Sequence, residues 1–167
     1  MTTIVADACF LIALDGSGNL NLLDRAKRRL GWKVVVPKAV YQESTQKEAN
    51  ELNALLDDST LERVDPNEGR IEKLSKRYPM LGPGEIEAMA YVLGLESRTE
   101  VIIISDDQRA TKAFKDQGLD SMTTLDFLAM MCRKGMTSKD ELLKCVPRLK
   151  KSMWISEKAI ESFEASL

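Results

Sequence analysis

The residues whose type and placement point to chemistry are Asp7, Glu43, Glu85, Asp106 and Asp107. Asp7 follows the apolar segment Ile4-Val5-Ala6 and precedes a second apolar run, Ala8 to Leu14. A carboxylate embedded in this way is costly unless it is paired, hydrogen-bonded or bound to a metal. The structural alternative is a cap on the helix that starts next. Asp106 and Asp107 end the β-branched run Val101 to Ser105. Adjacent carboxylates repel. One of them can cap the helix beginning near Gln108, and a divalent cation would account for the other. The chain contains no histidine, which removes Ser-His-Asp, Cys-His and His-zinc chemistry. Hydrolysis would have to rest on carboxylates, Lys, Tyr, Cys or a metal held by oxygen. That favours Mg²⁺ or Mn²⁺, which accept carboxylate and water ligands.

Glu85 and Glu87 open the helical segment Glu85-Ile-Glu-Ala-Met-Ala-Tyr-Val-Leu. Ile86, Met89, Ala90 and Leu93 define its apolar face. Glu85 projects roughly 60° from the centre of that face and Glu87 about 140° away. The phase therefore predicts Glu85 at the core edge and Glu87 in solvent. Complementing the helix dipole would by itself explain Glu85. Glu43 shares a face with Ala39 and Val40 at helical spacing, against the commoner fate of a solvated surface Glu. Leu52, Leu55 and Leu56 would face another way on a straight helix, so a bend is expected near Ser44 to Gln46.

These positions are set by an alternation of strands and helices. Strands are predicted at Thr3–Asp7, Lys33–Val36, Val101–Ser105 and, more weakly, at Leu61–Val64 and Ser121–Met122. Helices are predicted at Asn19–Leu30, capped by Asn19 or Ser17, and after Pro37, which suits a first turn. Further helices are predicted at Asn67–Tyr78, Pro83 to about Glu96, Gln108–Gln117, Thr124–Lys134, Ser138–Lys151 and Ser156–Ser166. The strands are continuous apolar runs, which argues for a parallel sheet covered on both faces. Ligands of such sheets bind beyond the carboxyl ends of the strands, where Asp7 and the Asp106-Asp107 pair fall.

The 167 residues suit a single domain, and no linker or repeat divides them. The formal net charge of −2 does not steer the whole molecule onto nucleic acid, so any such surface must be local. Two basic runs are candidates: Arg25, Lys27, Arg28, Arg29, Lys33 and Lys38, then Lys144, Arg148, Lys150 and Lys151. Their alternative is a solvated helix face. Cys9, Cys132 and Cys145 form no C-x-x-C pair and read as reduced thiols of a cytoplasmic protein. No stretch has the roughly 20 apolar residues needed to span a membrane.

At these residues the sequence resembles the PIN-domain ribonucleases. The matching segments are IVADACFLI (4–12), VYQE (40–43), LGPGEIEAMAYVLG (81–94) and VIIISDDQRATKAF (101–114). The tail from Gly118 to Leu167 resembles a prokaryotic subgroup related to VapC-type toxin nucleases. The resemblance implies a three-layer α/β/α sandwich around a parallel sheet. It implies one PIN-like domain over 1–167, with 120–167 a helical C-terminal extension of the same domain. It further implies an acidic cluster holding Mg²⁺ or Mn²⁺, an RNA substrate, an antitoxin protein as partner, and a homodimer. Carried over, Asp7, Glu43, Glu85 and Asp107 are the catalytic acids, with Asp106 beside Asp107 as a further metal ligand. Many members have Thr or Ser directly after the first Asp, where this chain has Ala8 and Cys9. Ser105 is then a candidate source of a hydroxyl. Without that hydroxyl, a non-catalytic module binding a protein partner is the competing expectation. An α/β phosphatase would need Asp-x-Asp at the first strand, and Cys9 stands in the second position.

Overall fold

The computed structural model describes residues 1–45, 50–98 and 100–167. Its centre is a sheet of five strands, β1 (Thr3–Ala6), β2 (Lys33–Pro37), β3 (Leu61–Val64), β4 (Val101–Ile104) and β5 (Ser121–Met122). They lie in the order β3-β2-β1-β4-β5, and every pairing is parallel. Parallel strands need crossovers. The helices supply them: α1 (Ala8–Ser17), α2 (Asn21–Leu30), α3 (Lys38–Thr45), α4 (Asn50–Asp57), α5 (Glu68–Arg77), α6 (Pro83–Leu93) and α7 (Gln108–Asp116). Three more follow the last strand: α8 (Thr124–Arg133), α9 (Lys139–Ser152) and α10 (Glu157–Ser166). This is the expected α/β/α sandwich.

The period of two along each strand divides the core. Ile4, Ala6, Val34, Val36 and Ile104 face α1, α2 and the C-terminal helices, meeting Phe10, Leu14, Phe127, Leu142 and Leu149. Val5, Val35 and Ile103 face the other layer, against Met89, Phe114 and Leu74. Helix α1 is apolar nearly all round because the sheet lies on one side and α9 on the other. Gly16 makes that fit possible: a Cβ there would lie 2.0 Å from Ser152 Oγ. The C-terminal helices thus share one core with the strands that carry the acids. No helix among the described residues is long and apolar enough to cross a membrane.

Several local expectations change. Helix α2 begins at Asn21, after Leu20, and neither Asn19 nor Ser17 caps it. Asn19 instead donates to Ser17 Oγ at 2.9 Å. Pro37 is the last residue of β2, paired in register with Val64, rather than the first turn of α3. A strand end tolerates the missing donor because the ladder stops there. The weakly signalled segments Leu61–Val64 and Ser121–Met122 are strands, joined to β2 and β4. Helix α3 ends at Thr45 and α4 starts at Asn50; Gln46, in the expected bend, lies outside the described residues.

Candidate active site

The acids gather at the carboxyl edge of β1 and β4. Asp7 follows β1 and caps α1, its Oδ1 accepting from the Phe10 N–H at 2.7 Å. It is only 6% exposed. Burial pushes its carboxyl up to about 7; hydrogen bonds from Phe10 and the Ser105 hydroxyl pull the other way, and the charges of Asp106 and Glu85 add to the rise. Ser105, fully buried at the end of β4, therefore touches the central acid, as the missing hydroxyl after Asp7 suggested. Asp7 is both cap and candidate ligand, because each role uses different lone pairs of the carboxylate.

The adjacent pair divides its labour. Asp107 is the N-cap of α7, accepting from the N–H groups of Arg109 and Ala110. It also holds the Arg109 guanidinium at 3.0 Å. That hydrogen bond, then the backbone donors, keep its carboxyl below the usual range. Asp106 is half-buried and faces Asp7. It accepts from the Thr124 N–H at 2.9 Å and from the buried Thr124 hydroxyl at the start of α8. Burial raises its pKa against those two hydrogen bonds. The structure thus brings Asp106 to Asp7, while Asp107 is engaged by the helix and by Arg109. Thr124 had no signal in the sequence: its partner is eighteen residues away and met only through the fold.

Glu85, in the first turn of α6, is half-buried and contributes to the negative field at Asp7. Glu87 departs from expectation. It is not in solvent but half-buried, its Oε2 accepting from the Ala39 N–H at 2.7 Å. It serves the first turn of α3, whose N–H groups have no partner within the helix. The phase separating the two residues holds; the second layer that Glu87 meets could not be seen in one helix. Glu43 is exposed on α3, at the rim. Cys9 lies amid the acids. Its exposed thiol is pushed up to about 11 by partial burial and by the charges of Asp7, Glu43, Asp106 and Glu85.

A family model described as a PIN domain matches residues 3–166. The chain belongs to the PIN-domain family. PIN domains are generally nucleases and typically use divalent metals. Among solved structures, the chain is similar to a PilT N-terminus domain protein from the hyperthermophilic archaeon Sulfolobus solfataricus P2. Identity is 15%, the match covers 77% of this chain and 92% of that one, and the TM-score is 0.49. Among curated proteins, none matches.

The PIN-family acids suit a hard cation. The donors are oxygens, and a buried carboxylate titrating near neutrality calls for positive charge. Among the described residues no three such side chains converge into a ready-made cage. Mg²⁺ needs none, since it keeps several waters and takes one or two carboxylates together with substrate phosphate. Asp7 and Asp106 are the residues that would hold it, with Glu85 and Glu43 acting directly or through water.

Part of each basic run is spent on neighbours within the chain. Lys27 donates to the Ser59 carbonyl, Arg28 pairs with Asp24, Lys33 with Glu62 and Lys150 with Glu157. Lys33 also starts β2, at the sheet edge opposite the acids. A cation does stand beside the acids: Arg109, held by Asp107 and within the field of Glu85. Nothing in the helix pattern of residues 108–117 marked it.

The position of Cys9 yields a measurable expectation. At pH 8 its thiolate fraction should be roughly 100-fold below that of an ordinary thiol, while the higher basicity restores roughly tenfold of the reactivity. Iodoacetamide should therefore alkylate Cys9 about tenfold more slowly than a free cysteine. Asp7→Asn should accelerate the reaction by removing the largest of the charges in that field. Peptide mass mapping over time reads this. Reaction at the free-thiol rate in the unaltered chain would place Cys9 outside the acidic field.

Proposed function

We propose that the chain is a metal-dependent endoribonuclease, hydrolysing RNA phosphodiester bonds at the Asp7 cluster, and that it acts as the toxin of a toxin–antitoxin pair. One observation carries the nuclease reading: a buried, helix-capping Asp7 pushed up to about 7 and flanked by Asp106 and Glu85. A structural cap has no need of two further carboxylates beside it. A bound Mg²⁺ or Mn²⁺ would lower the pKa of a water and neutralise charge on the leaving oxygen. The protein's own part is placement. Ser105 and the Phe10 N–H orient Asp7, Thr124 fixes Asp106, and α6 presents Glu85. Arg109, clamped by Asp107, supplies positive charge to a substrate phosphate at the rim. An antitoxin could cover the same groove by presenting a cation to the acids.

The test uses the partner-free chain with structured RNA and Mn²⁺. Cleavage should require metal and fall about 10- to 100-fold in Glu85→Gln. Glu87→Gln should cleave as the unaltered chain does, because the amide oxygen still accepts from Ala39. Glu87→Ala should instead lower stability by about 1 kcal/mol without abolishing cleavage. No cleavage with either metal would point to the non-catalytic module, and equal losses in both Gln variants would reduce Glu85 to a general electrostatic effect on RNA binding.

A further inference from the structure

We infer that the cavity between the α1–α2 turn and α9 is a phosphate-binding site, separate from the acidic groove. Its volume is about 310 Å³, at the small end of ligand pockets. Three cations line it, Arg25 from α2 and Lys144 and Arg148 from α9, with Glu141 the one carboxylate. The local excess is two positive charges in a chain whose net charge is −2. The two basic runs, separated by more than a hundred residues in sequence, thus meet here through one residue of the first and two of the second.

These cations are not explained by structural duties. Glu141 is committed to capping α9, accepting from the Ser138 N–H at 3.0 Å and the Thr137 hydroxyl at 2.8 Å. The Arg25 guanidinium is oriented by the neutral Met136 carbonyl at 2.6 Å and lies within the field of Glu141 without pairing to it. Among the described residues, Lys144 and Arg148 form no ion pair with a carboxylate. Arg148 lies over the end of α1, its Nη1 being 3.3 Å from where a Cβ on Gly18 would stand. The half-charge of a helix C-terminus is matched by one cation, not three. Helix α2 also opens onto the cavity without a side-chain cap, adding the positive end of its dipole. A group with several anionic oxygens and the size of a phosphate satisfies this arrangement, and forked guanidinium donors favour it.

The site stands at the far end of the ten-residue helix that Asp7 caps, about 15 Å from the acids along the axis. It needs neither the metal nor the carboxylates. The phosphate comes from a free nucleotide or from the backbone of an RNA strand, and two arms of one experiment separate them.

In the first arm, the ¹⁵N-labelled full chain is titrated with inorganic phosphate and with adenosine 5′-monophosphate. Saturable shifts should appear at amides of Ser17 to Arg25 and Thr137 to Arg148. A Lys144→Gln, Arg148→Gln double variant should bind about tenfold more weakly, whereas Asp7→Asn should bind as the unaltered chain does. In the second arm, a fluorescent oligoribonucleotide is bound at several salt concentrations in the Asp7→Asn background. If the RNA backbone supplies the phosphate, the double substitution should reduce the slope of log K against log salt by about 1.4. Nucleotide binding with an unchanged RNA slope identifies a small-molecule ligand; a reduced slope identifies the strand. Both replaced side chains are exposed, and a melting curve verifies that the double variant folds. No saturable shift with either probe, together with an unchanged RNA slope, overturns the inference. Whether Asp7→Asn still cleaves RNA leaves these readings unaffected.

Discussion

Asp7→Asn should abolish RNA cleavage and, in the absence of metal, raise the melting temperature at pH 8. The carboxyl of the folded chain is pushed up to about 7, above the ordinary 3.8. Its stabilising contribution is therefore complete below the unfolded value and is lost as pH rises through the folded one. At pH 8 the metal-free protein carries a buried charge that disfavours folding, on the order of 4 kcal/mol. Asparagine removes that charge. Its oxygen still accepts from the Phe10 N–H, and its NH₂ can donate to Ser105. The gain should be roughly 8–16 °C at pH 8 and should fade as pH approaches 4, where the native carboxyl is protonated. Thermal melts in EDTA across that range measure it. An inactive variant that is less stable at pH 8 would mean that the negative charge of Asp7 is needed for folding, and cleavage would then say nothing about ligation. A variant that still cleaves would remove Asp7 from the chemistry.

Mn²⁺ should do for the unaltered chain what asparagine does for the variant. A cation that binds only the folded state stabilises it by about 2.7 kcal/mol at 100 times its Kd, or roughly 5–10 °C for a chain of this size. The gain should be largest at pH 8. It should shrink below about pH 7, where the proton competes for Asp7. In Asp7→Asn it should nearly vanish, so the two proteins converge in stability when metal is added and diverge when it is chelated. Equal shifts in both would locate the metal elsewhere, and no shift in either at millimolar Mn²⁺ would favour a module that binds protein rather than ions.

Much of the scaffold was legible because it rests on local patterns. Val101 to Ile104 is β-branched and buried on both faces, so its period and length mark a parallel strand. Asn67, Ser138 and Ser156 cap the helices that follow them, each through a side-chain oxygen. The division between Asp106 and Asp107 was half legible. A cap is the residue immediately before the helix, since only there can its side chain reach the second and third N–H groups. With α7 starting at Gln108, Asp107 was the cap, and the family motif nevertheless favoured it as the ligand. What the sequence hid lies between layers. Glu87 meets Ala39, Thr124 meets Asp106, and Arg25 meets the α8–α9 turn. Helical phase gives a direction from one axis, but whether that direction ends in water depends on an element elsewhere in the chain.

The burial of α1 beneath α9 has a consequence for biogenesis. Helix α1 follows the first strand, and the helix that covers it begins at Lys139. At cellular synthesis rates of about 5–20 residues per second, roughly 6–25 s pass between them. During that interval the nascent chain displays Phe10, Leu11 and Leu14 without their α9 partners, a surface suited to holding chaperones. The close approach at Gly16 and Ser152 then forms only once α9 has been made. The helix that Asp7 caps is therefore left with its outer face uncovered until α9 has been made.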